Sequence, residues 1–127
     1  MQIFKLLLLT VVLSAFSLTA TLAVAQTKLP QELRGVRSLN SDVQAAITFQ
    51  NDSAQTVKIY WLGFKGERVF YQRLLPGETY AQETFLTHPW VVTDDKDNAW
   101  ALHYAQRKPL TVSIAAPSKP PAEKPLK

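Results

Sequence analysis

From Ala46 to Ile114 the apolar residues recur at every second position, and that period is the pattern of a strand. Ile47 and Phe49 alternate with Ala46, Thr48 and Gln50, and Val57, Ile59 and Trp61 alternate with Lys58 and Tyr60. Trp100, Leu102 and Tyr104 alternate with Ala101 and His103, and Leu110, Val112 and Ile114 with Thr111 and Ser113. Successive side chains of a strand point to opposite faces, so each run offers one set to a core and the other to solvent. Turn chemistry separates the runs. Asn51-Asp52-Ser53 supplies side-chain-to-backbone bonds, and Gly63-Phe64-Lys65-Gly66 supplies two flexible backbone positions. Leu75-Pro76-Gly77-Glu78 has Pro and Gly where a type II turn wants them, and Asp94-Asp95-Lys96-Asp97-Asn98 is a polar connection. With no convincing helical segment, the spacing predicts an all-β fold: a β-sandwich of seven to eight short, mostly antiparallel strands.

The alternating core occupies residues 36–116, and its flanks read differently. Lys5, an apolar run from Leu6 to Phe16 and the small-residue signal Ala23-Val24-Ala25 form the pattern of a secretory signal peptide, residues 1–25. Ser14, Ser17 and Thr19 leave the run short of the roughly 18–20 continuous apolar residues that a spanning helix needs. Cleavage after Ala25 is expected, leaving a secreted or periplasmic chain with no membrane attachment. A short polar segment, 26–35, leads into the core. The tail PSKPPAEKPLK, 117–127, holds four of the eight prolines and no aromatic residue. It cannot bury enough apolar area to offset its ordering entropy, so it is expected to be disordered and extended.

Composition narrows the chemistry. The chain has no cysteine, hence no disulfide, no thiol nucleophile and no lipid-bearing Cys. Without Lys5 there are 13 basic residues against 10 acidic, a net charge of +3, dispersed and without the basic patch that nucleic acid requires. Neither a nucleophile elbow, an H-E-x-x-H motif nor a glycine-rich phosphate loop is present. Two histidines without cysteine leave little for zinc, and Asp94, Asp95 and Asp97 lack the spacing and the Glu of an EF-hand. No enzyme activity, cofactor or metal is expected. Asn51-Asp52-Ser53 is formally a glycosylation acceptor.

Five segments, in order, carry a resemblance: RSLNS (37–41), TFQNDS (48–53), YWLGFKGE (60–67), Tyr71 through LLPG to 77, and TFLTHPWVVTD (84–94). Together they resemble the β domain of the von Hippel-Lindau tumour suppressor family. That family recognises a hydroxylated proline in an extended peptide through a Trp, a Tyr, a Ser, a His and a second Trp. The resemblance carries these roles to Trp61, Tyr71, Thr84 (a hydroxyl for a hydroxyl), His88 and Trp90, and a peptide-contacting Asn to Asn40. Three positions depart from the pattern: Glu83 stands for a peptide-contacting His, Phe85 for a rim Tyr and Asp42 for an Arg. The family's helical module, which recruits elongin C, has no counterpart after Ile114, so elongin C is not expected as a partner.

The same residues make chemical sense by themselves. A proline ring is a flat aliphatic disc that suits aromatic walls such as Trp61, Tyr71 and Trp90. Its 4-hydroxyl both donates and accepts, so a slot for it wants a hydroxyl and an imidazole, as Thr84 and His88 supply. On this reading Thr84→Val would leave stability nearly unchanged. The competing reading makes the aromatics ordinary core. His103, on a strand's alternating face, reads as a surface or structural residue. The sequence therefore points to a non-catalytic module for an extended peptide or protein, with hydroxyproline as the candidate determinant. The alternative is a structural or envelope-associated sandwich without that specificity. The leader pattern predicts that intact-mass measurement of the exported form will place its first residue at Gln26 or within a residue or two. A mass that retains Met1 to Ala25 would refute it.

Overall fold

Each alternating run forms a strand. The structure, a computed structural model, describes residues 26–118; the predicted signal peptide and residues 119–127 of the predicted tail lie outside the described residues. A four-residue helix α1 (Pro30–Leu33) precedes β1 (Gln44–Asn51), β2 (Val57–Leu62), β3 (Arg68–Leu74), β4 (Thr79–Phe85), β5 (Pro89–Asp94), β6 (Ala99–Tyr104) and β7 (Leu110–Ile114). They make two sheets, in the orders β4-β1-β7 and β3-β2-β5-β6. Every pairing is antiparallel except β1 with β7. This is the predicted sandwich, with seven strands.

The core lies between the sheets. Ile47, Phe49, Val112 and Ile114 from one sheet meet Val57, Ile59, Trp90 and Val92 from the other, all buried. Burying a side chain of this size contributes about 1.5–3 kcal/mol. With no disulfide to help, these contacts are the main stabilising term.

β6 departs from its predicted phase. Thr93 pairs with Ala99 and Val92 with Ala101, which leaves Trp100 as the extra residue of a bulge. Two residues opposing one reset the alternation. His103, opposite Trp90, therefore turns inward, and its ring stands edge-on to Phe49 at 6.4 Å. Tyr104, expected inside, is 44% exposed. His103 is thus a core-packing residue.

The polar segment ahead of the core is a strap. α1 starts with Pro30 and with the Glu32 carboxylate accepting from the Leu29 N–H at 2.8 Å. It ends at Gly35 (φ +82°), where the Val36 and Gly35 N–H groups return to the Gln31 and Glu32 carbonyls, a Schellman closure. The strap is pinned at one end by the Ala99 N–H on the Thr27 carbonyl, and at the other by the Ser38 hydroxyl on the Leu62 carbonyl. Between these points it crosses the outer face of the four-stranded sheet. That accounts for Val91 and Leu62 being fully buried on the side away from the core. Arg68 anchors its middle through a two-pronged bond to Glu32, 2.7 and 2.9 Å, and donates to the Asp97 and Thr27 carbonyls. Burial alone would raise the Glu32 pKa, but the bonds from Arg68 and the Leu29 N–H, with the Arg68 charge, hold it below the usual carboxylate range.

At the opposite end of the sandwich from the start of β1, Asn51 is fully buried and uses every polar atom. Its amide donates to the Gln55 and Leu74 carbonyls at 2.8 and 3.1 Å, and its oxygen accepts from the Ser53 N–H and hydroxyl. That nitrogen has no room for a glycan. The neighbouring Leu75–Glu78 turn is type II as predicted, with Gly77 at φ +83° and the Glu78 N–H on the Leu75 carbonyl.

Burial lowers the His103 pKa below the 6.5 of a free imidazole. The unfolded chain then binds the proton more readily, so stability is unaffected well above pH 6.5 and is lost as pH falls below it. Denaturant midpoints measured from about pH 7.5 down to about pH 5 should fall. His103→Leu, close in volume, should flatten part of that slope.

Candidate functional site

Four strands deliver the candidate residues to the open side of the sandwich, where the edge strands β3 and β4 face each other. Trp61 and Trp90 are direct cross-strand partners on β2 and β5, both on the phase that faces the other sheet. Trp90 is 2% exposed and packs on Phe49 at 6.2 Å. Tyr71 owes its position to a second bulge. Ile59 pairs with Gln72 and Tyr60 with Phe70, so Tyr71 is the extra residue, and its ring meets Trp90 edge-on at 4.8 Å while remaining 39% exposed. Bulges re-aim side chains in this way beside functional sites.

Thr84 comes from β4, opposite Ala45, and is buried. Its hydroxyl oxygen accepts a hydrogen bond from the Trp90 indole N–H at 3.1 Å. One lone pair is thereby used, and the hydroxyl keeps its own proton to donate. This corrects the expectation for Thr84→Val: losing the oxygen strands a buried N–H, which costs about 1–3 kcal/mol.

His88 arrives on the turn after β4. Its N–H reaches back to the Phe85 carbonyl at 3.4 Å, and Thr87 between them sits at φ +72°. A β-branched residue there is strained, and the Thr87 hydroxyl holds the turn by donating to the Leu39 carbonyl at 3.0 Å. The imidazole, 9% exposed, stands 5.5 Å from Trp61, 5.6 Å from Phe64 and 5.5 Å from Phe85.

Trp61, Tyr71, Thr84, His88 and Trp90 thus line one cleft of about 300 Å³. The sixth residue, Asn40, is not in it. Asn40 lines an adjoining groove of about 520 Å³ with Ser41 and Asp42, and the two share Phe64, Phe85 and His88. Phe64, Gln82, Glu83 and Phe85 complete the cleft wall. Phe64 was the one wall residue with a local signal, an aromatic held out between Gly63 and Gly66 and 48% exposed. Gln82 had none. It is fixed by accepting from the Tyr80 hydroxyl and donating to the Glu83 carbonyl at 2.6 Å.

The core reading of the aromatics holds fully for Trp90 and in part for Trp61, which packs against the core from its edge. Tyr71 is exposed, and Trp61 is half-buried with an indole N–H that is enclosed and has no hydrogen-bond partner among the described residues. An unpaired buried donor costs stability, so Trp61→Phe removes a liability along with some packing. Denaturation of Trp61→Phe should show a loss below about 1.5 kcal/mol, whereas Trp90→Ala should lose about 3–5 kcal/mol.

Residues 36–112 match the family model described as the VHL beta domain. The match begins after α1 and contains every residue of the cleft and of the Asn40 groove. The VHL beta domain is a substrate-recognition module, and the chain is accordingly a protein-binding domain. Its sheets, its cleft and the extent of the match together say that this protein belongs to the VHL beta domain family.

Proposed function

We propose that the protein is a non-catalytic peptide-binding module that seats a hydroxylated proline of an extended segment in the cleft between β3 and β4. One observation carries the reading. Aromatic rings, a buried hydroxyl and an imidazole, scattered from position 61 to position 90, converge on one opening of about 300 Å³. Trp61, Tyr71 and Trp90 form walls for a flat aliphatic ring. The Thr84 hydroxyl, held by Trp90, and the His88 imidazole lie where a ring hydroxyl needs partners. Edge strands on both sides of the cleft leave backbone groups free to run beside an extended chain. The leader pattern of residues 1–25 supports a place of action outside the cytoplasm.

Specificity follows from the cost of unpaired polar groups. A plain proline would cover the Thr84 hydroxyl and the His88 ring without bonding either, and a site built to pair a hydroxyl discriminates against its absence. Titration calorimetry with two peptides that differ only in the 4-hydroxyl should give a hydroxyproline preference of at least about tenfold. His88→Phe should shrink that ratio. Thr84→Ser should preserve it, together with the bond to Trp90. A wild-type ratio near one would leave a structural sandwich without hydroxyproline specificity as the better description.

A further inference from the structure

Two carboxylates at the cleft and the groove beside it have no partner among the described residues. Asp42 and Glu83 are both exposed, Asp42 in the Asn40 groove and Glu83 on the wall of the cleft itself. The ion pairs among the described residues join Lys58 to Asp97, Arg68 to Glu32 and Arg73 to Asp95, and none includes Asp42 or Glu83. Neither carboxylate accepts a hydrogen bond from a described residue, although the carboxylates of the loops and the strap do so repeatedly. The other acidic groups among the described residues are bonded within the fold; these two, one on the cleft wall and one in the groove beside it, are not.

The cations around them are few. Among the described residues no Lys or Arg lines the cleft or the Asn40 groove, and His88 is the only basic side chain there. Arg107 lines a third groove, of about 590 Å³, which has Gln82, Glu83, Thr84 and Phe85 in common with the cleft. The field is therefore mixed on the Glu83 side and of one sign on the Asp42 side. A like-signed pair of charges in a concave surface focuses its potential on whatever enters. Such charges select partners and steer their approach.

We infer that the segment recognised at this cleft is cationic beside its proline, with a Lys or Arg passing Asn40 and Asp42 and a second basic residue facing Glu83. The inference rests on the proposed peptide-binding role and adds the charge of the ligand. An acidic segment would meet two uncompensated carboxylates, and a basic one supplies the partners they lack. Because both groups are solvent-exposed, the preference is a screened one and weakens as salt rises.

Three nonapeptides with a central 4-hydroxyproline in an Ala/Gly background test this. One is flanked by two lysines on each side, one by two glutamates on each side, and one by neither. Titration calorimetry of the purified protein at about 20 mM salt should show the lysine peptide binding at least about tenfold more tightly than the glutamate peptide. The gap should narrow at about 300 mM salt. In the double variant Asp42→Asn, Glu83→Gln the three affinities should draw together to within about threefold. Neither carboxylate has a partner among the described residues, so the variant's thermal midpoint should match wild type. Equal binding of the lysine and glutamate peptides, or a preference that survives in the double variant, overturns the inference while the peptide-binding role stands. Binding of none of the three overturns both.

Discussion

The indole of Trp90 is shared by the core and the cleft. One side packs on Phe49 across the sandwich, Tyr71 stands against it at the rim, Trp61 and His103 are its cross-strand neighbours, and its N–H is bonded to Thr84. The two sheets cannot shift relative to each other without moving the cleft wall. Nor can the Thr84 hydroxyl turn away without leaving a buried donor unpaired, a penalty on the scale of a large mutation. The contact that closes the core also orients the Thr84 hydroxyl in the cleft.

Around that fixed point the fold uses irregular backbone to bring side chains in. The β3 bulge puts Tyr71 against Trp90, and the Thr87 turn, held at positive φ by one hydroxyl bond, sets His88 among three aromatic rings. Each costs local free energy that a regular strand would not, and both lie at the same opening. Irregular backbone also occurs elsewhere, in the β6 bulge at Trp100 and at Asp97 with φ +67°. The strap is the counterpart on the outer face, where α1, Glu32 and Arg68 shield Val91 and Leu62. Its helix and Glu32 lie ahead of the matched residues 36–112, whereas its second pin, Ser38, lies within them.

The polar groups divide by what they are bonded to. Asn51 and Glu32 are spent on the fold, and Asp97 is bonded to Lys58 and Tyr60. The Tyr60 phenol is pushed up by burial and then by the bond to Asp97 and its charge, which keeps it a donor. Thr84 and His88 have capacity left over, and Asp42 and Glu83 are unused. Among the described acidic residues, those without a bonded partner lie at the cleft and in the groove beside it.

Several features were legible in the residues alone. Period-two alternation from Ile47 to Ile114 sufficed for strands and a sandwich, because a sheet buried on one face requires that pattern whatever its partners. Pro76-Gly77 sufficed for its turn, because only certain residues take those backbone angles. The five cleft residues were legible by resemblance, each keeping the side-chain chemistry of its role. The phase of β6 was not, since the extra residue at Trp100 is defined by its pairing with β5, and a lone strand carries no register. Asn51 resembled a glycan acceptor because its burial depends on β3, more than twenty residues away. Phe64 and Gln82 belong to the cleft only once β4 and the loops close on it, and that Asp42 and Glu83 have no partner among the described residues is equally a matter of packing. What a side chain is locally comes from covalent chemistry; whether it is buried, bonded or free depends on segments distant in sequence, and only the packed sheets decide that.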